Sequence, residues 1–169
     1  MPLPTVRRLL CALGAACLLA GVLAASAGAT IVIGQSMGGV KLGDTPAQVK
    51  QALGKPSSSN STDLLYPSRV GLRVTLKGGH VDGVLSVSKK QKTTKGITIG
   101  SSRSAVKAAY PSASCVEGPL GPSSLYCAVT ARIGSRKSYT SFLFETASGG
   151  VSEIELGYGS GLAQELHQS

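Results

Sequence analysis

The chain has 169 residues and a formal net charge of +9, with 42% hydrophobic residues, no tryptophan and 4% aromatic residues. That length allows one ordinary domain or two small ones, and so few rings leave the core to aliphatic side chains. The positive charge falls in stretches without interleaved aromatics, which argues against nucleic-acid binding by base stacking.

Residues 1–29 read as a secretory signal peptide. "MPLPTVRR" is a short basic leader carrying Arg7 and Arg8, "LLCALGAACLLAGVLAA" is a charge-free apolar run, and Ala27, Gly28 and Ala29 form a small-residue A-x-A site. Three alternatives stay open: an uncleaved anchor, since residues 9–27 reach spanning length; a lipoprotein modified at Cys17; and twin-arginine export through Arg7 and Arg8. Cleavage after Ala29 leaves 140 of the 169 residues and lowers the charge to about +7, because both arginines leave. Cys11 and Cys17 leave with them. Cys115 and Cys127 then stand alone, twelve residues apart, and in an oxidising compartment they read as a disulfide. There is no C-x-x-C, and His80 and His167 have no ligand spacing to either cysteine, so no metal or cofactor is expected.

From Thr30 the chain opens with the strand-like "TIVIGQSMGGV", at whose end Val40 and the following Leu42 sit two apart, as the inward face of a strand requires. Gly43 allows a turn. Thr45 then reads as an N-cap, with Gln48 completing a capping box and Pro46 at the first helical position. Val49 and Leu53 lie within that helix, and Gly54, with Pro56 beyond it, ends it. The period next switches to alternation in "LLYP", "GLRVTL" (Leu72, Val74, Leu76) and "VDGVLSV". Residues 89–95, with Lys89, Lys90, Lys92 and Lys95, read as a basic linker.

Beyond it the pattern returns. Laid at an offset of 57, Gly39, Gly43, Val49, Lys50 and Ala52 match Gly96, Gly100, Val106, Lys107 and Ala109, while Val40, Leu42 and Thr45 face Ile97, Ile99 and Ser102. This reads as an internal duplication, its second helix ended at Tyr110 and Pro111. Three alternating runs follow: "LYCAVTARI", "SYTSFLFET" with Phe142 and Phe144 on one side, and "VSEIELGY" with Glu153 and Glu155 opposite Ile154 and Leu156. They predict an antiparallel meander with one wet face. The expected fold is α+β: two tandem repeats, 30–88 and 96–169, each a strand and short helix followed by a β-meander, with one helix layer on a sheet.

The segment "VKLGDTPAQVKQALGKP" resembles the motif of the BamE (SmpA/OmlA) family of envelope lipoproteins, carried by Leu42, Gly43, Thr45, Val49, Leu53, Gly54 and Pro56. Its partial copy is carried by Ile99, Gly100, Ser102, Val106 and Tyr110. The duplicated form is also similar to the beta-lactamase inhibitor protein, built from two such α/β units. The match covers about a quarter of the mature chain and rests on fold-forming residues. It implies a secreted or cell-envelope protein that binds other proteins.

A search for chemistry returns no nucleophile, base and orienting group in one pattern. His80 lies in the turn of "LKGGHVDG" and His167 three residues from the end, and no G-x-S-x-G occurs. Glu153 and Glu155 share a strand face, where an acid/base pair could act, and read first as a charged outer face. The chain therefore reads as non-enzymatic. The lysines at 89–95, and Arg132, Arg136 and Lys137 at a hairpin, are candidate contacts for an anionic wall polymer or membrane surface, set against the plainer reading of a solvated linker and turn. The expected function is an exported protein-binding or scaffolding module using its exposed sheet face. The alternative is an inhibitor of an extracellular hydrolase. Neither reading identifies the partner.

Overall fold

A computed structural model describes residues 30–68, 70–118, 121–145 and 149–159. The leader with Arg7, Arg8 and Cys17, and His167 near the end, lie outside the described residues. In chain order the elements are β1 (Thr30–Ile31), β2 (Ser36–Met37), β3 (Val40–Lys41), α1 (Pro46–Leu53), β4 (Ser58–Ser59), β5 (Asp63–Tyr66), β6 (Leu72–Lys77) and β7 (His80–Ser86). They continue with β8 (Lys92–Thr93), α2 (Arg103–Ala109), β9 (Ser114–Gly118), β10 (Gly121–Ile133), β11 (Arg136–Glu145) and β12 (Val151–Tyr158).

Eight strands form one antiparallel sheet in the order β4-β5-β6-β7-β12-β11-β10-β9. This corrects the expected architecture. Among the described residues the protein is mostly β, with two helices of eight and seven residues, and is not a helix layer on a sheet with two repeats. The physical reason lies at the middle of the sheet, where β7 and β12 pair from Gly83 opposite Gly157 to Ser86 opposite Ile154. Two strands whose backbone groups would otherwise be left open as edges satisfy each other, and the meanders merge. The helices are too short to roof eight strands, so the short segments β1, β2, β3 and β8 share that side with them.

Both helix starts carry a side-chain N-cap, and the first completes a capping box. Thr45 caps α1 through a capping box: its backbone N–H donates to Gln48 Oε1 at 2.8 Å, and its Oγ1 accepts from the Gln48 N–H at 3.4 Å. Ser102 Oγ accepts from the Ala105 N–H at 3.2 Å at the start of α2. Gly43 and Gly100, with φ of 88° and 89°, occupy backbone conformations that side chains rarely adopt. Their N–H groups donate to Val81 O and Val151 O at 2.8 and 2.7 Å, pinning each turn to the sheet.

One face of the sheet carries the core. Across the register, Tyr66, Leu72, Ser86, Ile154, Phe142 and Cys127 form one row, and Ile31, Met37, Val40, Val49, Leu53 and Val106 from the other elements, with Ile97 from the loop after β8, belong to the same buried cluster. Of the motif residues, Leu42, Val49, Leu53, Pro56, Val106 and Tyr110 are buried and Ile99 is half-buried, so they build the fold. Gly54 closes α1, its N–H donating to Lys50 O at 2.8 Å. The stretch 89–95 is built in: Gln91 and Thr93 are buried, and β8 pairs in parallel with β1. Cys115 and Cys127 face each other across β9 and β10 and are joined by a disulfide, Cα to Cα 4.0 Å.

Candidate functional site

Alternation along a strand sends every second side chain away from the core. The opposite face of the sheet therefore shows a second set of rows. Ala128, Ser141, Glu155, Leu85, Arg73 and Leu65 align in one, and Val116, Tyr126, Leu143 and Glu153 in its neighbour. Leu65, Leu85, Val116, Tyr126 and Leu143 are half-buried and lie outside the core cluster, whereas β1 to β3, α1 and α2 all place side chains in it. Among the described residues, no element roofs this second face.

The middle of that face is polar and partly desolvated. Tyr139 Oη donates a hydrogen bond to Glu155 Oε1 at 2.9 Å, with Ser141 beside it at 3% exposure. Partial burial raises the Glu153 carboxyl above its ordinary range, Glu155 raises it further, Arg73 opposes the shift and Glu145 adds to it. Burial likewise raises Glu155, against hydrogen bonds from Tyr139 and Ser141 that favour the charged form. Burial also raises the Tyr126 hydroxyl, with contributions from both glutamates. Two carboxylates and two tyrosines thus interact on one surface, held by three adjacent strands.

These shifts have a sign in stability. A carboxyl raised in the folded state binds its proton more tightly there than in the unfolded chain, so its contribution to stability grows as pH falls from neutral through the raised range and levels off below the ordinary value of 4.5. A Glu153→Gln/Glu155→Gln variant, which keeps an acceptor for Tyr139, is expected to have a higher Tm than wild type at about pH 7 and a flatter dependence of Tm on pH. Thermal unfolding across a pH series checks this, and a lower Tm at neutral pH contradicts it.

The other sequence candidates sit away from the two carboxylates, Arg132 and Lys137 falling by alternation at the hairpin end of the same face. His80 is exposed at the start of β7, its Nδ1 3.0 Å from Gly43 O. Lys89, Lys90, Lys92 and Lys95 are exposed along the stretch that contains β8. Lys95 Nζ donates to Ala109 O at 2.6 Å, at the end of α2, and lies 5.1 Å from the Tyr110 ring centre. Arg136 stacks 3.4 Å from the Tyr158 ring centre and lies 3.6 Å from an Asp82 carboxylate oxygen. Arg132 pairs with Lys137 in the β10–β11 hairpin and lines an open groove of about 330 Å³ with Lys41, Gln35 and Ser36. A second groove of about 420 Å³ lies at the end of α1, lined by Lys50, Lys55 and Ser57 to Ser59. Neither groove is lined by a histidine or a carboxylate. Among the described residues no cluster of three His, Cys, Asp or Glu side chains could hold a metal ion.

Sequence reasoning placed Glu153 and Glu155 on an outer face and missed Tyr126, Tyr139, Leu143 and Arg73 beside them. The signal for Tyr139 and Leu143 was present, since both alternate with Phe142 and Phe144 in "SYTSFLFET". Arg73 needed the β6–β7–β12 register.

No protein-family model and no curated protein matches the chain. Among solved structures it is similar to an extracellular protein containing an SCP domain from Bacillus anthracis str. Ames, with 9% sequence identity and a TM-score of 0.48. The alignment covers 69% of this chain and 43% of that one, so the chain spans less than half of that protein's length. At that score the likeness carries no argument about fold or activity.

Proposed function

We propose that this chain is an exported, non-enzymatic protein-binding module that meets its partner on the second face of the sheet. One observation carries the reading: half-buried Tyr126, Leu143, Leu85 and Leu65 bracket two partly desolvated carboxylates on a face that no described element covers. Aromatic and aliphatic side chains around a few oriented polar groups make the centre of a protein interface, and a rigid sheet presents them with little ordering cost. The apolar leader with its small-residue site supports export, as does the Cys115–Cys127 bond, of a kind that persists in oxidising compartments. The inhibitor reading rests on the two-unit likeness alone and is not carried further.

The test places a photoreactive side chain at position 126 on this face, or at position 51 on the exposed side of α1, in the protein produced by its native host. Adducts to another protein at position 126 and none at 51 are expected. No adduct at 126, or the same adducts at both positions, overturns the reading.

A further inference from the structure

Building on the proposed interface, the chemistry of the face constrains what the partner brings to it. Glu153 and Glu155 are half-buried in the free protein, and a partner seated on Tyr126, Leu143 and Leu85 takes away most of the water that remains to them. A carboxylate buried without compensation is strongly unfavourable, so each must gain a cation or a proton when the interface forms.

The groups around the pair discriminate between the two. From β11, Tyr139 donates to Glu155 and Ser141 hydrogen-bonds it, and both interactions favour the ionised carboxylate. Glu145, also from β11, adds negative charge near Glu153. From β6, Arg73 contributes one guanidinium, on an exposed residue whose effect on Glu153 ranks below both burial and the repulsion from Glu155. β7 contributes the uncharged Leu85, and β10 contributes Tyr126, in register with Leu143 and Glu153, its ring resting over Gly118 of β9 and its hydroxyl within electrostatic reach of both glutamates. The centre of the face thus holds more carboxylates than cations, on a chain whose overall charge is +9. An aromatic ring one strand beyond Leu143 also suits the stem of a long basic side chain whose head reaches the carboxylates.

We infer that the partner presents a lysine or arginine side chain to Glu153 and Glu155, packed alongside Tyr126. The two carboxylates set which partner is accepted, because a protein surface lacking a basic group at that point leaves them buried and unpaired.

The experiment uses the chain with the photoreactive side chain at position 126, mixed with the envelope and secreted fractions of the native host. Adduct yield is compared between the wild-type face and a Glu153→Gln/Glu155→Gln face, each at about pH 7.5 and about pH 5.5. The adduct is expected to fall roughly tenfold or more in the double variant. With the wild-type face it is expected to weaken at the lower pH, where protons compete with the basic side chain, and the variant's residual yield should not follow pH. Adducts that persist undiminished in the variant, or that strengthen at low pH with the wild-type face, overturn the basic-partner inference while leaving the interface standing. Absence of any adduct at position 126 removes the interface and this inference together. The pH comparison on the wild-type face decides the matter even if the double variant fails to fold.

Discussion

Replacing Phe142 by alanine is expected to destabilise the protein by about 3–5 kcal/mol, the range for truncating a buried aromatic side chain. Phe142 is fully buried at the middle of β11, opposite Cys127 on β10 and Ile154 on β12. Its ring stacks on Tyr110, the C-cap of α2, with centroids 6.1 Å apart and planes 20° from parallel. One side chain therefore joins three strands and fastens the end of a helix to them. Trp is absent and only two Phe residues occur in the chain, and the one ring stacked on Phe142, that of Tyr110, belongs to the C-cap of α2, so it cannot fill the space without moving that helix end. Two short helices and several two-residue strands depend on this surface for burial, because helices of seven and eight residues are marginal alone. Denaturant unfolding of Phe142→Ala against wild type measures the loss. A change below about 1.5 kcal/mol would show that Phe142 is not at the packed centre of the core.

The second large effect concerns Cys115 and Cys127. Their bond closes a loop with a sequence separation of 12 between two neighbouring strands, and in the chain-entropy model a loop of that size contributes about 3 kcal/mol. Cys115→Ala/Cys127→Ala is the suitable variant, since Cys127 is fully buried and a serine there would put a hydroxyl among apolar groups. The variant and the reduced wild type are expected to lose similar stability, about 3 kcal/mol, while the oxidised protein shows no reactive thiol at either position. β9 lies at the end of the sheet, so proteolysis of the reduced form should begin in its neighbourhood. Thiols at 115 and 127 that label in the native protein without reduction would contradict the bond.

Much of the fold was legible wherever a signal is local. The Thr45 and Ser102 caps and the positive-φ glycines at 43 and 100 each follow from a few adjacent residues. The alternation of Leu72, Val74 and Leu76 likewise gives β6 its buried face, and the Cys115–Cys127 pair was readable from cysteine count and spacing. The tandem frame failed because the decisive contact is not local. β7 and β12 each read as the last strand of a separate meander, and nothing within either says that Ser86 will face Ile154. Within the basic stretch 89–95 two buried residues were illegible for another reason. Gln91 and Thr93 are buried through hydrogen bonds, Gln91 Nε2 donating to Val70 O at 3.1 Å and Thr93 Oγ1 accepting from the Ile97 N–H at 3.1 Å, and burial of that kind leaves no hydrophobic pattern to read. At the proposed site, the i, i+2 spacing of Glu153 and Glu155 was visible. Tyr139 reaches Glu155 only through the β11–β12 register, in which Ser141 lies opposite Glu155.

The proposed interface requires the second face of the sheet to be covered where the protein works. Hydroxyl-radical footprinting of the protein in its native surroundings, compared with the purified protein, tests this without knowledge of the partner. Tyr126 and Leu143 are expected to be protected several-fold in situ, with the exposed residues of α1 labelled alike in both samples. Equal labelling of Tyr126 and Leu143 in the two samples would contradict the assignment of this face as the contact surface.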